Sequence, residues 1–457
     1  MQLMLSTLTD RELVSCSLRQ SGHSSFSAES KATVFNRTSR YLQASGLDDD
    51  APCHAFFVPG RVELLGKHTD YAGGSSIVAA IEQGLCVVAV PRNEDCSTIH
   101  ALDIDERVEF TLGTDLTVPK NHWSSYPITV ARRVSRNFPG ALCGMDLAFA
   151  GDLIPAAGMS SSSAVIVAIF LAMSVVNDLK ATPAYRKNIQ DQFELAEYLG
   201  TVENGQSYRG LGGDLGVGTF GGSEDHTAII CSEPRKVGQF SYCPTRFDHS
   251  IEFPSGYVLM VAFSGVVAEK TGAAKEQFNR ASFLVSRLVD LWRSQTGQDH
   301  QSLAEILASG PEAADKLRQY VMNSSGNQYE ATELGNRLEH FISESLLLKD
   351  AANALKSCQL HKFGKLVDRS MQIADELLDN QVVETRQLAQ LARDAGAMAA
   401  SAFGAGFGGS VWAIVADLDT KEFLAEWKQS YLHAFPQYAD QVHFFTTFPG
   451  PAAFELG

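Results

Sequence analysis

Pro59-Gly60-Arg61-Val62-Glu63-Leu64-Leu65-Gly66-Lys67-His68-Thr69-Asp70-Tyr71-Ala72-Gly73-Gly74 crowds four glycines and the polar side chains of Arg61, His68, Thr69 and Asp70 into sixteen residues. The glycines are expected to break the backbone into turns, which brings donors and acceptors close together. A carboxylate accepts two hydroxyl protons at once, so Asp70 suits the adjacent hydroxyls of a small polyhydroxylated molecule, with His68 beside it. Taken alone, the segment also reads as a polar loop after a strand, with His68 and Asp70 serving turn geometry.

Two later stretches narrow the choice. Gly158-Met159-Ser160-Ser161-Ser162-Ser163-Ala164 precedes a strongly apolar run. A helix beginning there presents unpaired N–H groups and the positive end of its dipole, which favours phosphate. Small residues let phosphates approach the backbone, and a serine hydroxyl can ligate a divalent cation. The plainer alternative is a serine N-cap with further serines behind it. Phe403-Gly404-Ala405-Gly406-Phe407-Gly408-Gly409-Ser410 predicts a glycine turn entering a strand, suited to close packing of backbone on backbone. A strand follows it instead of a helix, which excludes a dinucleotide-binding turn, and no Gly-x-x-x-x-Gly-Lys-Ser/Thr loop occurs.

The chain has 457 residues, 45% of them hydrophobic, enough for two or three domains with sizeable cores. A formal net charge of -16 disfavours non-specific binding to nucleic acid or anionic membrane, though a locally positive pocket could still hold a nucleotide. The eight cysteines are scattered without Cys-x-x-Cys spacing and read as reduced thiols of a cytoplasmic protein. The first residues lack the basic and apolar regions of a signal peptide, and no apolar run is long enough to span a bilayer.

Helical turns are expected around 10–19 and 28–44, and strands at 55–59, 85–91, 108–112 and 145–150. Residues 121–137 suit an amphipathic helix. Helices are also expected at 160–179, starting at a serine cap, and at 185–199. Residues 210–222 carry seven glycines in thirteen positions, a flexible loop or backbone shaped around a ligand. After a strand at 256–263 the chain reads as helical from 272 to 397. Strands return at 410–416 and 441–447 around a helix at 421–434. This order argues for an α+β protein, with a boundary near 243–254.

In this order the three motifs resemble those of the GHMP kinases, and within them the galactokinases, from about residue 59 to 415. Galactokinases read close to Pro-Gly-Arg-Val-Asn-Leu-Ile-Gly-Glu-His-Thr-Asp-Tyr-Asn-Gly-Gly in the first motif, and most of it is kept here. The resemblance implies a two-lobed fold. An N-terminal ribosomal-S5-like domain would span 1–250, and a C-terminal ferredoxin-like α+β domain with extra helices 251–457. It implies a sugar 1-kinase using ATP and Mg²⁺. Gly221-Gly222-Ser223-Glu224-Asp225-His226 is similar to the family's catalytic stretch, which makes Asp225 the base, Arg61 its neighbour and Gly222 a sugar contact. By the same carry-over Lys67, His68 and Asp70 face the sugar. Gly158, Ser160, Ser161, Ser162, Ser163, Gly406 and Gly408 serve the nucleotide, and Ser162 and Glu203 the metal. About ten extra residues separate Glu203 from Asp225.

Several positions depart from the pattern. Lys67 stands where the family has a glutamate expected at the sugar's C6 hydroxyl, and Glu63 and Ala72 stand where it has asparagines. Lys67 either welcomes an anionic C6 group, as in a uronic acid, or pairs with Glu63 and leaves the pocket neutral. Residues 266–280 contain no tyrosine to match the family's sugar contact; Lys270 and Thr271 occupy that neighbourhood. Galactose, a uronic acid or another sugar therefore remain open as substrates. A galactokinase-like sensor that binds without turnover is the alternative from a different class.

Overall fold

The computed structural model describes residues 3–140, 142–268, 272–324 and 328–457. Its strands are β1 (His54–Leu65), β2 (Ser75–Pro91), β3 (Cys96–Ala101), β4 (Glu106–Thr111), β5 (Met145–Gly151), β6 (Lys236–Ser241), β7 (Arg246–Glu252), β8 (Tyr257–Phe263), β9 (Ala399–Ala402), β10 (Ser410–Ala416), β11 (His443–Thr447) and β12 (Phe454–Glu455). The first sheet runs β12-β1-β2-β5-β3-β4, with β6 on β2 and β7 on β6. All its pairs are antiparallel except β3 with β5.

β1 and β2 are buried almost throughout, because both faces of the sheet are covered. Helices Arg11–Gln20 and Ser25–Ala44 pack Leu18, Phe35 and Leu42 against Phe57 and Val88 on one side. Helix Ser161–Val176 packs Ile166, Ile169 and Phe170 onto the other. β2 serves two partners in turn: Ser75–Val78 pairs with β6 and Leu85–Pro91 with β5. Strands β3, β6, β7, β9 and β12, the first half of β2 and the second half of β1 were not expected from the sequence.

Three local expectations need correction. Gly60 does not make a turn; it lies inside β1, at a register shift between Pro59 and Arg61. A side chain there would strike Leu153 and the Met159 carbonyl. The expected helix at 185–199 is two helices, Pro183–Asn188 and Gln192–Asn204, because Asp191 caps the second through the N–H groups of Phe193 and Glu194. Ser160 occupies the N-cap position of helix Ser161–Val176 without making a side-chain cap bond.

The second sheet, β11-β8-β10-β9, is antiparallel throughout. With helices between β8 and β9 and between β10 and β11, this is the ferredoxin-like order. Helices Val383–Asp394 and Thr420–Ala434 cover one face through Leu388, Phe423 and Trp427. Trp412 of β10 faces the other way, and its indole N–H donates to the Glu63 carbonyl of β1 at 2.9 Å. The sheets are thereby joined at the strand that carries the first motif. β7 belongs to the first sheet and β8 to the second, while β12 returns to the first.

Candidate active site

Arg61 is the hub. It is buried on β1, and its Nε donates to Asp225 Oδ1 at 2.8 Å, with Nη2 2.7 Å from the same oxygen. Nη1 donates to the Gly158 carbonyl at 2.5 Å. One cation thus ties together the first motif, the oligoserine loop and the acidic residue of the glycine-rich stretch. Burial alone would weaken its charge, but Asp225, Glu224 and Glu63 outweigh that and hold the guanidinium more firmly protonated than usual.

The oligoserine loop turns sharply into its helix. Gly158 has φ 82° and Ser160 φ 60°, both left-handed. Such a loop followed by a helix start makes a concave array of N–H groups fit for an anion. The Ser160 hydroxyl is buried without a hydrogen-bond partner. Gly158, Ser160, Ser161 and Ser162 line the same cleft as Arg61 and Asp225. Ser163 instead points inward; its Oγ donates to Glu203 Oε2 at 2.8 Å and lies 3.4 Å from Asp225 Oδ2.

Glu203 lies in the last turn of its helix beside this serine, and His226 Nε2 lies 3.3 Å from its Oε2. The extra residues between Glu203 and Asp225 do not separate them. The chain leaves at Gly205 and folds back, with N–H of Asp214 donating to the Gly205 carbonyl and N–H of Val217 to that of Glu203. Glycines make this return possible: a side chain at Gly216 would sit 2.4 Å from the Glu203 carbonyl oxygen. Residues 210–222 are therefore backbone packed on itself, with Gly221 and Gly222 reaching the cleft.

Asp70 and His68 line the cleft opposite the serines. His68 Nδ1 is 2.9 Å from the Tyr71 hydroxyl, and Nε2 is 3.2 Å from the Ala405 carbonyl. Asp70 Oδ2 accepts from the Glu224 N–H at 3.3 Å. Burial pushes the Asp70 carboxyl up from its ordinary value, against the pull of neighbouring N–H groups. Gly222 is what permits this approach, since a Cβ there would lie 2.5 Å from Asp70 Oδ2 and 2.9 Å from the Tyr71 nitrogen. Gly222→Ala should therefore displace Asp70 and weaken binding of any small ligand that Asp70 holds roughly tenfold or more, as calorimetry would show.

Two further carboxyls line the cleft that were not expected there, Glu63 and Glu224. Burial pushes Glu224 well above its ordinary range, and the charges of Glu63 and Asp70 push it further. Burial also raises Glu63, against Lys67 and Arg61. Lys67 does not line the cleft. It is 1% exposed, with Nζ 3.9 Å behind Glu63 Oε1. Lys270 and Thr271 lie outside the described residues.

The third motif braces the loop from the other sheet. A side chain at Gly404 (φ 82°) would sit 2.9 Å from the Gly158 carbonyl, and Ser410 Oγ donates to the Ala157 carbonyl at 2.7 Å. Gly404 and Ala405 reach the cleft. Gly406 and Gly408 do not; they close on Asn380 and Val266. Helix Gln328–Lys356 adds a clamp that no motif foretold. Glu344 accepts from the N–H groups of Gly66 and Lys67, and Arg337 donates to the His68 carbonyl.

A helix tip made for phosphate, facing an arginine-held carboxylate between an open sheet and a ferredoxin-like sheet, defines a two-lobed small-molecule phosphotransferase. The galactokinase galactose-binding signature matches residues 45–91, and the GHMP kinase N-terminal domain matches 125–222. A galactokinase of Exiguobacterium sibiricum is 27% identical over 386 residues, 81% of this chain and 86% of that one. One from Actinobacillus pleuropneumoniae is 26% identical over 364 residues, 79% and 85% of the two chains. Among solved structures, Lactococcus lactis galactokinase complexed with galactose is similar in fold, with a TM-score of 0.72 at 23% identity, covering 92% of this chain and 98% of that one. Methanococcus jannaschii mevalonate kinase follows at a TM-score of 0.57 and 14% identity, over 86% and 98%. The chain is thus similar to the GHMP kinases and, within them, to the galactokinases.

Proposed function

We propose that the protein is an ATP-dependent sugar 1-kinase of the galactokinase kind, converting galactose and ATP to galactose 1-phosphate and ADP. The observation that carries this reading is the meeting of Arg61, Asp225 and the oligoserine tip in one cleft with Asp70. Asp70 and His68 grip the sugar. Its anomeric hydroxyl faces Asp225, whose carboxylate takes the proton as the oxygen forms its bond to the γ-phosphorus and the bond to the β-phosphate oxygen breaks. Arg61 fixes the carboxylate's direction and offsets negative charge moving between the oxygens. ATP lies with its phosphates against residues 158–163, where the unpartnered Ser160 hydroxyl awaits an acceptor.

A divalent cation fits the donors present. The Ser162 hydroxyl and the Glu203 carboxylate are oxygen donors lining the cleft, and Mg²⁺ takes one or two carboxylates and fills its shell with phosphate oxygens and water. Ser162 and Glu203 would hold it, and it would neutralise phosphate charge. The first lobe, proposed from the sequence as 1–250 but extended by the end of β7 and by β12, supplies the base and both anion- and sugar-binding motifs; the second supplies the brace. Among the described residues no helix is long and apolar enough to cross a membrane, and a cytoplasmic site of action suits a kinase that draws on cellular ATP.

The test is ADP release by purified protein given ATP, Mg²⁺ and a panel of neutral hexoses, pentoses and uronic acids. Sugar-dependent ADP release, with phosphate on the anomeric oxygen by NMR, is the expected result. Sugar binding without ADP release would replace the kinase with a sensor.

A further inference from the structure

We infer that Glu63 is a specificity-determining residue, whose carboxyl accepts a hydrogen bond from a hydroxyl of an uncharged sugar and turns away sugars that carry a carboxylate. The inference deepens the sugar 1-kinase reading and rests on it. Arg61, Val62 and Glu63 pair in unbroken register with Ala80, Ala79 and Val78, so Arg61 and Glu63 share a face of β1, and both line the cleft. Glu63 is 2% exposed, and its Oε1 has no hydrogen-bond partner. Its nearest cation, Lys67 Nζ, stands 3.9 Å away, beyond hydrogen-bond reach, and is likewise without a hydrogen-bond partner. Lys67 therefore compensates charge behind the carboxyl without satisfying it.

A buried carboxyl that is paired in charge but not in hydrogen bonds gains from a ligand that brings a donor. A sugar hydroxyl is such a donor; a sugar carboxylate only accepts. The carboxylate would also meet Asp70, Glu224 and Asp225 in the same cleft. Arg61, the one Lys or Arg among the described residues lining the cleft, is committed to Asp225 and Gly158. Lys67 lies behind Glu63 and offers an anionic ligand no direct contact. The uronic-acid alternative raised by the lysine at position 67 is thus answered by the carboxyl standing in front of it.

The experiment compares kcat/KM for D-galactose and D-galacturonate at pH 8, with calorimetric binding of each sugar, in the wild type, Glu63→Gln and Lys67→Met. The wild type should favour galactose by about 10²-fold or more, the scale set by an unmet buried polar group. Glu63→Gln should narrow that ratio at least tenfold, mainly by raising KM for galactose and admitting galacturonate. Lys67→Met should not lower galacturonate use relative to galactose. A wild type that uses or binds galacturonate as well as galactose overturns the proposal, with no variant needed. So does a Glu63→Gln protein that melts normally and keeps the wild-type ratio. ADP release with neither sugar but with another from the panel leaves the kinase reading standing, and the binding ratio then decides Glu63. Failure of every sugar to release ADP sinks the kinase reading, and the same binding ratio still decides Glu63.

Discussion

Asp225→Asn should yield a folded protein that binds ATP normally and transfers phosphate about 10²–10⁴-fold more slowly, the range lost with a general base. Asparagine keeps the size of the side chain and can still accept from Arg61 Nε, which now holds Asp225 Oδ1 at 2.8 Å. It cannot take a proton from a hydroxyl. The loss should fall on kcat, with KM for sugar little changed, because the proposed mechanism gives hydroxyl gripping to Asp70 and His68. Single-turnover phosphate transfer, with ATP binding measured separately, gives the split. A variant that turns over at near wild-type speed would remove Asp225 from the base role.

Arg61→Met should be damaging in two ways. It strips the cation from a buried ion pair whose side chains are 5% and 20% exposed. Removing one partner of such a pair costs about 3–5 kcal/mol. It also frees the Gly158 carbonyl and slackens the oligoserine loop. The stability loss should depend on pH in a definite sense. Glu63 and Glu224 already bind their protons more tightly folded than unfolded, and Arg61 opposes that rise in both. Without Arg61 their folded pKa values climb further above the unfolded value of 4.5. A raised carboxyl costs nothing below the unfolded value and progressively more as pH rises above it. The variant's drop in Tm should therefore be larger at pH 8 than at pH 5. Arg61→Lys should restore part of the stability and little of the activity, since an ammonium cannot reproduce the forked contact to Asp225 and Gly158. Equal Tm deficits at the two pH values would rule out this electrostatic account.

What the sequence disclosed were the residues whose chemistry is local. The serine run, the first motif and the glycine turn could be read because glycine spacing and clustered donors announce themselves within a few positions. The meeting of Arg61 with Asp225 came from family likeness alone, since 164 residues separate them. Glu224 escaped notice as a cleft residue because a glutamate in a polar turn reads as a surface charge, and Glu63 reads only as a partner for Lys67; the register of β1 puts it on the same face as Arg61. Of the two readings of Lys67, the ligand contact promised by its place in the motif is not made by the buried side chain, while the pairing with Glu63 is found at 3.9 Å. The split at 189–191 was open to view in the Asp191 cap. The first half of β2 was not, because its pairing with β6 is set by residues more than a hundred positions away.

The last stretch of the chain has a bearing on how the molecule is made. Gly450 donates to Ala80, Ala453 to Ile229 and Leu456 to Ala55, and β12 hydrogen-bonds to Phe56 and Phe57 of β1. The strand that presents Arg61 thus waits for an outer neighbour that is synthesised almost four hundred residues after it. Until then its open edge is exposed to any passing extended peptide. Closing that edge therefore joins two segments far apart in the chain, and the strand beneath the cleft is completed only when the later one arrives.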